Sequence, residues 1–340
     1  MKIGVLTGGG DCPGLNPAIR GVVFKAVEYG DEVIGIKKGW LGLVEGIAAP
    51  LTLADVDEIM SKGGTILGST RTNPFKKEED RQKMLANIKK LGLDALVAIG
   101  GDDTLTAALK LTKEGFPVVG VPKTMDNDIC ETDYTFGFDT SVSIAVDALD
   151  RLRDTAKSHC RVMVLEVMGR HAGWVALFTG LAGGADYILL PEEEVNIEKM
   201  CDVLRKVYAR KQYALVVVSE GIEIPGMKGA DAKADGFGHA LLKEKGVGSY
   251  IAAQIEKMTG FETRYAVIGH IQRGGPPTVF DRMLALRLGV KAVEMIHAKK
   301  FGMMASLRGN QIVEVKLEDA VSKNRKVDES WLALTKTFYR

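Results

Sequence analysis

PKTMDND, residues 122–128, sets two carboxylates, Asp126 and Asp128, on either side of Asn127, directly after the apolar run PVVGV and beside Lys123 and Thr124. A carboxylate so placed can take the proton of a substrate hydroxyl while an ammonium offsets charge on a transferring phosphoryl group. The same letters also suit an Asx-rich turn that does no chemistry. GGGDCPGLN, residues 8–16, follows IGVLT and leads into a helical pattern from about Leu15, so that backbone N–H groups and a helix start can both face an anion. A glycine-rich strand-to-helix turn also serves close packing alone. GGDDT, residues 100–104, follows ALVAI and poses a conflict. Glycines at a strand end admit a phosphate and one Asp holds the metal that accompanies it, yet a second Asp adds negative charge where a polyphosphate would lie.

Arginines cluster in SHCR, MGRHAG and TRYAVIGHIQRGG, which supply Arg161, Arg170, Arg264 and Arg273 together with His270. The planar guanidinium fork matches phosphate oxygens, and several such groups beside strands point to a phosphorylated substrate, although any one of them also fits a surface ion pair. Glu220, at the end of YALVVVSE, suits sugar hydroxyls or a strand cap. The remaining histidines, His159, His171, His239 and His297, show no metal-ligand spacing. Pro13 breaks the dinucleotide glycine spacing and the chain contains no Gly-Lys pair, which excludes a Walker A loop and argues against nicotinamide chemistry.

These motifs need strands to end beside them. IGVL, EVIGI, ALVAI, PVVGV, RVMVLEV, YALVVVS and RYAVIGH are short, Val/Ile-rich and bounded by Gly, Pro or charge, with helical patterns between them. That alternation predicts largely parallel sheets covered by helices, with ligands at the carboxyl ends of the strands. At 340 residues the chain is long enough for two domains, and FGFDTS is a plausible first boundary before a long helix. The Gly-, Ala- and charge-rich stretch 222–248 reads as a surface insertion. Forty-five Lys and Arg against 44 Asp and Glu leave a net charge of +1, which gives no support for a nucleic-acid or anionic-membrane surface. Four scattered cysteines without a CxxC pair suit a reducing compartment. Met1 runs straight into KIGVLT, and no apolar run reaches membrane length, so a cytoplasmic protein is expected.

In order along residues 1–300, GGGDCPGLN, GGTILGSTR, GGDD, PKTMDND, SHCR, EVMGRHAGW and GHIQRGG resemble the motif series of the phosphofructokinase family. The resemblance implies two Rossmann-like, three-layer α/β domains with an active site in the cleft between them. The phosphoryl-donor domain is expected over 1–137 plus about 272–322, and the fructose 6-phosphate domain over 138–271 plus 323–340. It also implies a glycolytic transferase, with Asp126 as base for the sugar 1-hydroxyl, assisted by Thr124, Asp128, Lys123 and Arg170. Gly10, Arg71, Asp103 and Lys123 correspond to donor contacts and Asp102 to a Mg²⁺ ligand. Met168, Gly169, Arg170, Glu220, His270 and Arg273 match the sugar-phosphate site. Arg161 and Arg264 match arginines that complete the site of a neighbouring subunit in a homodimer or homotetramer.

The second acid of GGDDT is similar to that of pyrophosphate-using members, whereas ATP-using members resemble one another in having glycine there. An aspartate in the α-phosphate position would meet ATP with steric overlap and like-charge repulsion on the order of several kcal/mol. Lys123 is expected to pair with Asp103 and to contact the transferring group, and Ala107 is expected to crowd a nucleoside. Two departures stand out: Met125 where isoleucine is usual, and Phe24 one turn after Arg20, where allosteric relatives carry a further basic residue. Pyrophosphate-dependent, reversible phosphorylation of fructose 6-phosphate is thus the leading expectation. An ATP-dependent kinase and a non-catalytic sugar-phosphate sensor are the alternatives. The sensor reading sits poorly with the retention of both Asp126 and Asp102.

Overall fold

The computed structural model describes residues 1–224 and 246–339, so most of the insertion expected over 222–248 lies outside the described residues. In chain order the strands are β1 (Lys2–Thr7), β2 (Glu32–Ile36), β3 (Ala48–Pro50), β4 (Ala95–Gly100), β5 (Val118–Pro122), β6 (Val162–Val167), β7 (Tyr187–Leu189), β8 (Ala214–Ser219), β9 (Thr263–Val267), β10 (Met303–Arg308) and β11 (Gln311–Lys316). Among the described residues they form two sheets, ordered β11-β10-β5-β4-β1-β2-β3 and β7-β8-β6-β9. The second is parallel throughout, and the first is parallel except where β3 and β11 pair antiparallel at its edges. The central strands β4, β5, β6 and β8 are buried along their whole length. Burial on both faces is the reason their sequences are unbroken apolar runs rather than alternating ones.

Each predicted strand is present within a residue or two of its expected bounds except RYAVIGH, whose strand stops at Val267 and gives way to a 3-10 turn over Gly269–Arg273. After β9 the chain returns to the first sheet: helix Val279–His297 packs along helix Leu15–Glu28, and β10 and β11 extend the sheet. That helix pair requires glycine at the crossing. A Cβ on Gly289 would lie 2.2 Å from the Ala18 carbonyl oxygen, and one on Gly21 2.5 Å from that of Leu286.

The long helix expected after FGFDTS begins inside it, at Phe138, and runs to His159. Its N-terminus meets that of helix Val279–His297, and the two exchange caps. Buried Asp281 accepts from the Thr140 backbone N–H at 2.8 Å and from its hydroxyl, while Thr278 donates its hydroxyl to Asp139 at 2.6 Å. Burial pushes the Asp281 carboxyl up to about 6. Among the described residues no helix is long and apolar enough to cross a membrane.

Candidate active site

The carboxyl ends of both sheets open onto one cleft of about 410 Å³. From the first sheet come Gly9 and Gly10 after β1, Asp102 and Asp103 after β4, and Lys123, Thr124, Met125, Asp126 and Asp128 after β5. The second contributes Met168, Arg170 and His171 after β6, Glu220 after β8, and His270 and Arg273 after β9. Arg71 completes the wall, and its loop is held by the glycine turn, since the Ser69 hydroxyl donates to the Gly9 carbonyl at 2.5 Å and the Gly9 N–H to that of Thr70 at 3.2 Å.

The DND loop divides the two readings its sequence allowed. Asn127 is the structural member: it is buried, sits at φ 52°, and accepts from the Thr135 N–H at 3.0 Å, a left-handed turn position that asparagine tolerates. Its neighbours Asp126 and Asp128 line the cleft. Thr124 sits between them, its hydroxyl oxygen receiving the Asp126 N–H at 3.1 Å and its hydroxyl hydrogen-bonding the Asp128 carboxylate. Burial raises the Asp126 pKa, opposed by the nearby charges of Arg273, Arg170, His171 and Lys123. Asp126 Oδ1 is shielded from solvent and takes no hydrogen bond from the protein. Burial, then the Asp126 and Asp102 charges, lift Asp128 to about 7. Glu220 is also pushed up, chiefly by burial and then by Asp126.

Lys123 is 4 % exposed and its ammonium donates to the Gly10 carbonyl; burial holds its pKa below the usual lysine range, against the pull of the Asp11 and Asp126 charges. This bond ties the lysine to the glycine loop. Arg273 reaches the same loop, donating to the Asp11 carbonyl at 2.9 Å, and a Cβ on Gly10 would lie only 2.7 Å from Arg273 Nη1. One glycine turn is therefore gripped by a cation from each sheet. Asp102 and Asp103 occupy the first turn of helix Asp102–Lys113, where the positive end of the helix dipole favours carboxylates. Ala107, four residues after Asp103, is 2 % exposed in the core beside β4 and does not line the cleft.

Gly169 lies between two lining residues and gives its carbonyl to the Ser219 hydroxyl at 2.7 Å. Arg161 and Arg264 lie outside this cleft, at and before the sheet-edge strand β9's neighbour β6 and on β9 itself, and both pair with Glu262, at 2.8 and 2.6 Å. Sequence reasoning passed over His171, which lines the cleft beside Arg170, and over Gln272 and Asn324. Gln272, inside the HIQR motif, is fully buried, accepts the Met168 N–H at 2.7 Å and donates to the Ser141 hydroxyl at 3.1 Å, so it holds the strand end that carries Met168. Its place between His270 and Arg273 was the available signal. Asn324 lines the cleft from the far end of the chain, where no motif marks it.

The phosphofructokinase family model matches residues 2–296. A relative from Dictyoglomus thermophilum, named pyrophosphate–fructose 6-phosphate 1-phosphotransferase, is 55% identical over 100% of this chain and 99% of its own. The ATP-dependent 6-phosphofructokinase 2 of Streptomyces coelicolor is 48% identical over 96% of each chain. Among solved structures, that of a pyrophosphate-dependent phosphofructokinase from Marinobacter aquaeolei superposes with a TM-score of 0.83 at 25% identity, over 96% of this chain and 85% of its own.

Proposed function

The chain belongs to the phosphofructokinase family, and from that premise we propose that it transfers a phosphoryl group from pyrophosphate to the 1-hydroxyl of fructose 6-phosphate, reversibly, as a glycolytic and gluconeogenic step. The observation that carries the donor choice is Asp103 on the cleft wall, in the first turn of a helix facing Gly10 and Lys123. A carboxylate there repels the additional phosphate of a nucleoside triphosphate and leaves a two-phosphate donor unopposed. The 55% relative carries the matching name.

In this reading Asp126 takes the proton of the sugar hydroxyl. Its burial strengthens it as a base, and Arg170 and Arg273 keep it ionised. Thr124 and Asp128 fix the loop, and the buried Lys123 ammonium and Arg170 offset charge as the phosphoryl group moves. Met168, Gly169, Arg170, Glu220, His270 and Arg273 bind the sugar phosphate, and Gly10, Arg71, Asp103 and Lys123 the donor. Nearly balanced transfer follows from exchanging a pyrophosphate bond for a sugar phosphate bond rather than spending ATP.

Mg²⁺ fits the donor set. Asp102 is a hard oxygen ligand in a cleft with further carboxylates, and among the described residues no group of three or more His, Cys, Asp or Glu is arranged to cage a metal. That suits an ion that keeps water and substrate phosphate oxygens in its shell. Held by Asp102, it would neutralise charge on the pyrophosphate.

We further propose two domains, 1–137 with about 272–322 and 138–271 with 323–340, a division supported by the segregation of the two sheets. The working form is a cytoplasmic homodimer or homotetramer in which Arg161 and Arg264 of one chain complete the site of the next. The testing experiment is a coupled assay that offers pyrophosphate and ATP separately with fructose 6-phosphate and Mg²⁺. Turnover with pyrophosphate at least tenfold above that with ATP is expected; a preference for ATP overturns the reading in favour of the nucleotide kinase suggested by the 48% relative.

A further inference from the structure

Beyond β11 the chain leaves the first sheet and crosses to the second as a strap. Residues 323–325 run antiparallel to the segment that follows the catalytic loop. The Cys130 thiol donates to the Lys323 carbonyl at 3.2 Å, Asn324 bridges Ile129, and the Arg325 N–H donates to the Asp128 carbonyl at 2.8 Å. The far end is fastened to the other sheet's helices. Trp174 Nε1 donates to the Arg325 carbonyl at 3.0 Å, the Arg325 guanidinium lies 4.5 Å over the Trp174 ring, and the Val327 N–H donates to Glu192 at 3.0 Å. Helix Glu329–Thr337 then lays Trp331 against Phe178 and Trp174.

At the middle of this strap Asn324 Nδ2 donates to Asp128 Oδ2 at 3.2 Å and lines the cleft. The segment lies outside residues 2–296, the extent of the family match. We propose that Asn324 is a positioning residue for phosphoryl transfer: its amide orients the Asp128 carboxylate and so keeps Asp126 aimed at the substrate hydroxyl. The Asp126 and Asp128 carboxyls share one shielded loop, and without a donor on its far side Asp128 is left with the Thr124 hydroxyl, which also receives the Asp126 N–H. A neutral amide restrains Asp128 without adding positive charge that would weaken Asp126 as a base. Nδ2 is the donor atom of the Asn324 amide, and it is the atom that faces Asp128 Oδ2.

This inference deepens the reading above and rests on it in placing Asp128 at the transfer site. It is tested by steady-state kinetics of the full chain as wild type, Asn324→Ala and Asn324→Asp, each with pyrophosphate and with ATP, alongside thermal unfolding. Asn324→Ala is expected to lower kcat about tenfold, the scale of a lost hydrogen bond to a charged group, with both KM values within about threefold and the melting temperature held by the strap's backbone bonds. Asn324→Asp keeps the shape but sets an acceptor against an acceptor, and is expected to fall below the alanine variant. A residue that merely filled space would give the opposite order. An aspartate variant as active as wild type, an alanine variant within twofold in kcat, or a loss carried wholly by KM overturns the proposal. If wild type turns over only with ATP, the donor reading falls and the same order of variants, read with ATP, decides the strap. Inactivity of wild type with both donors overturns both.

Discussion

Asp126 and Asp128 differ by two positions and by a great deal in chemistry. Asp126 has a buried oxygen without a protein donor, with Arg273, Arg170, Lys123 and His171 around it; Asp128 has Thr124 and Asn324 as donors and two acids as neighbours. In the proposed reading the first acts as the base and the second supports it. Replacing Asp126 by Asn is therefore expected to cut kcat by at least about 10²-fold with fructose 6-phosphate binding retained, since a general base contributes on that scale. Retention of a tenth of the wild-type rate would remove Asp126 from the role. For Asp128 the prediction concerns stability. Its pKa rises from 3.8 to about 7 on folding, so the folded chain keeps a proton that the unfolded chain gives up. The contribution favours the folded state at low pH and is lost as pH rises from about 4 to about 7. Asp128→Asn escapes that loss. Without substrates or Mg²⁺, its melting temperature should gain on wild type by about 2–5 °C between pH 5 and pH 8; a difference that does not change with pH contradicts the assigned burial.

At the scale of elements, strands buried on both faces were legible because their burial leaves continuous Val- and Ile-rich runs, and the motifs could be placed from the rule that ligands sit at carboxyl ends. Four strands went unread: three of them, β3, β7 and β11, are short or at edges, while β10 is an interior six-residue strand whose sequence, MMASLR, carries no Val or Ile. β3 has three residues ending in proline, β7 has three, and β11 is only half-buried, so none carries a long apolar signature. Within the site, residue types told which side chains could act, but not which carbonyl Lys123 would choose or that Asn324 would return to the cleft from the end of the chain. Those choices are made by packing between distant segments. The exchanged caps at Asp281 are another such device, and they join the element that begins the second sheet's unit to the one that returns to the first. Thr140→Val removes one of the donors to a carboxylate whose other oxygen, Asp281 Oδ1, is buried without a partner. A loss of about 2 kcal/mol in urea unfolding is expected for Thr140→Val and a smaller one for Thr140→Ser, which keeps the hydroxyl; an equal or larger loss in the serine variant would contradict the role given to the hydroxyl.

For the whole molecule, the β9 edge and the adjoining turn expose Tyr265, Val267 and Ile271, and the start of the next helix exposes Val279, Phe280 and Met283. Apolar groups grouped at an open sheet edge call for cover, and Arg161 and Arg264 lie on the same margin, paired to Glu262. A second copy that covers this surface would receive those arginines at its own cleft. Mixing Asp126→Asn chains with Arg161→Ala chains, each inactive alone, is then expected to restore a fraction of wild-type activity, and verified hybrids that stay inactive would exclude a shared site. The central claim, however, is the choice of donor, and it is tested most directly by kcat/KM for pyrophosphate and for ATP in wild type and in Asp103→Gly, at saturating fructose 6-phosphate and Mg²⁺. Wild type should prefer pyrophosphate, and the substitution should move the ratio toward ATP by about 10²-fold, the effect of removing a like-charge clash of a few kcal/mol. A wild type that already prefers ATP, or a ratio that Asp103→Gly leaves unchanged, would contradict it.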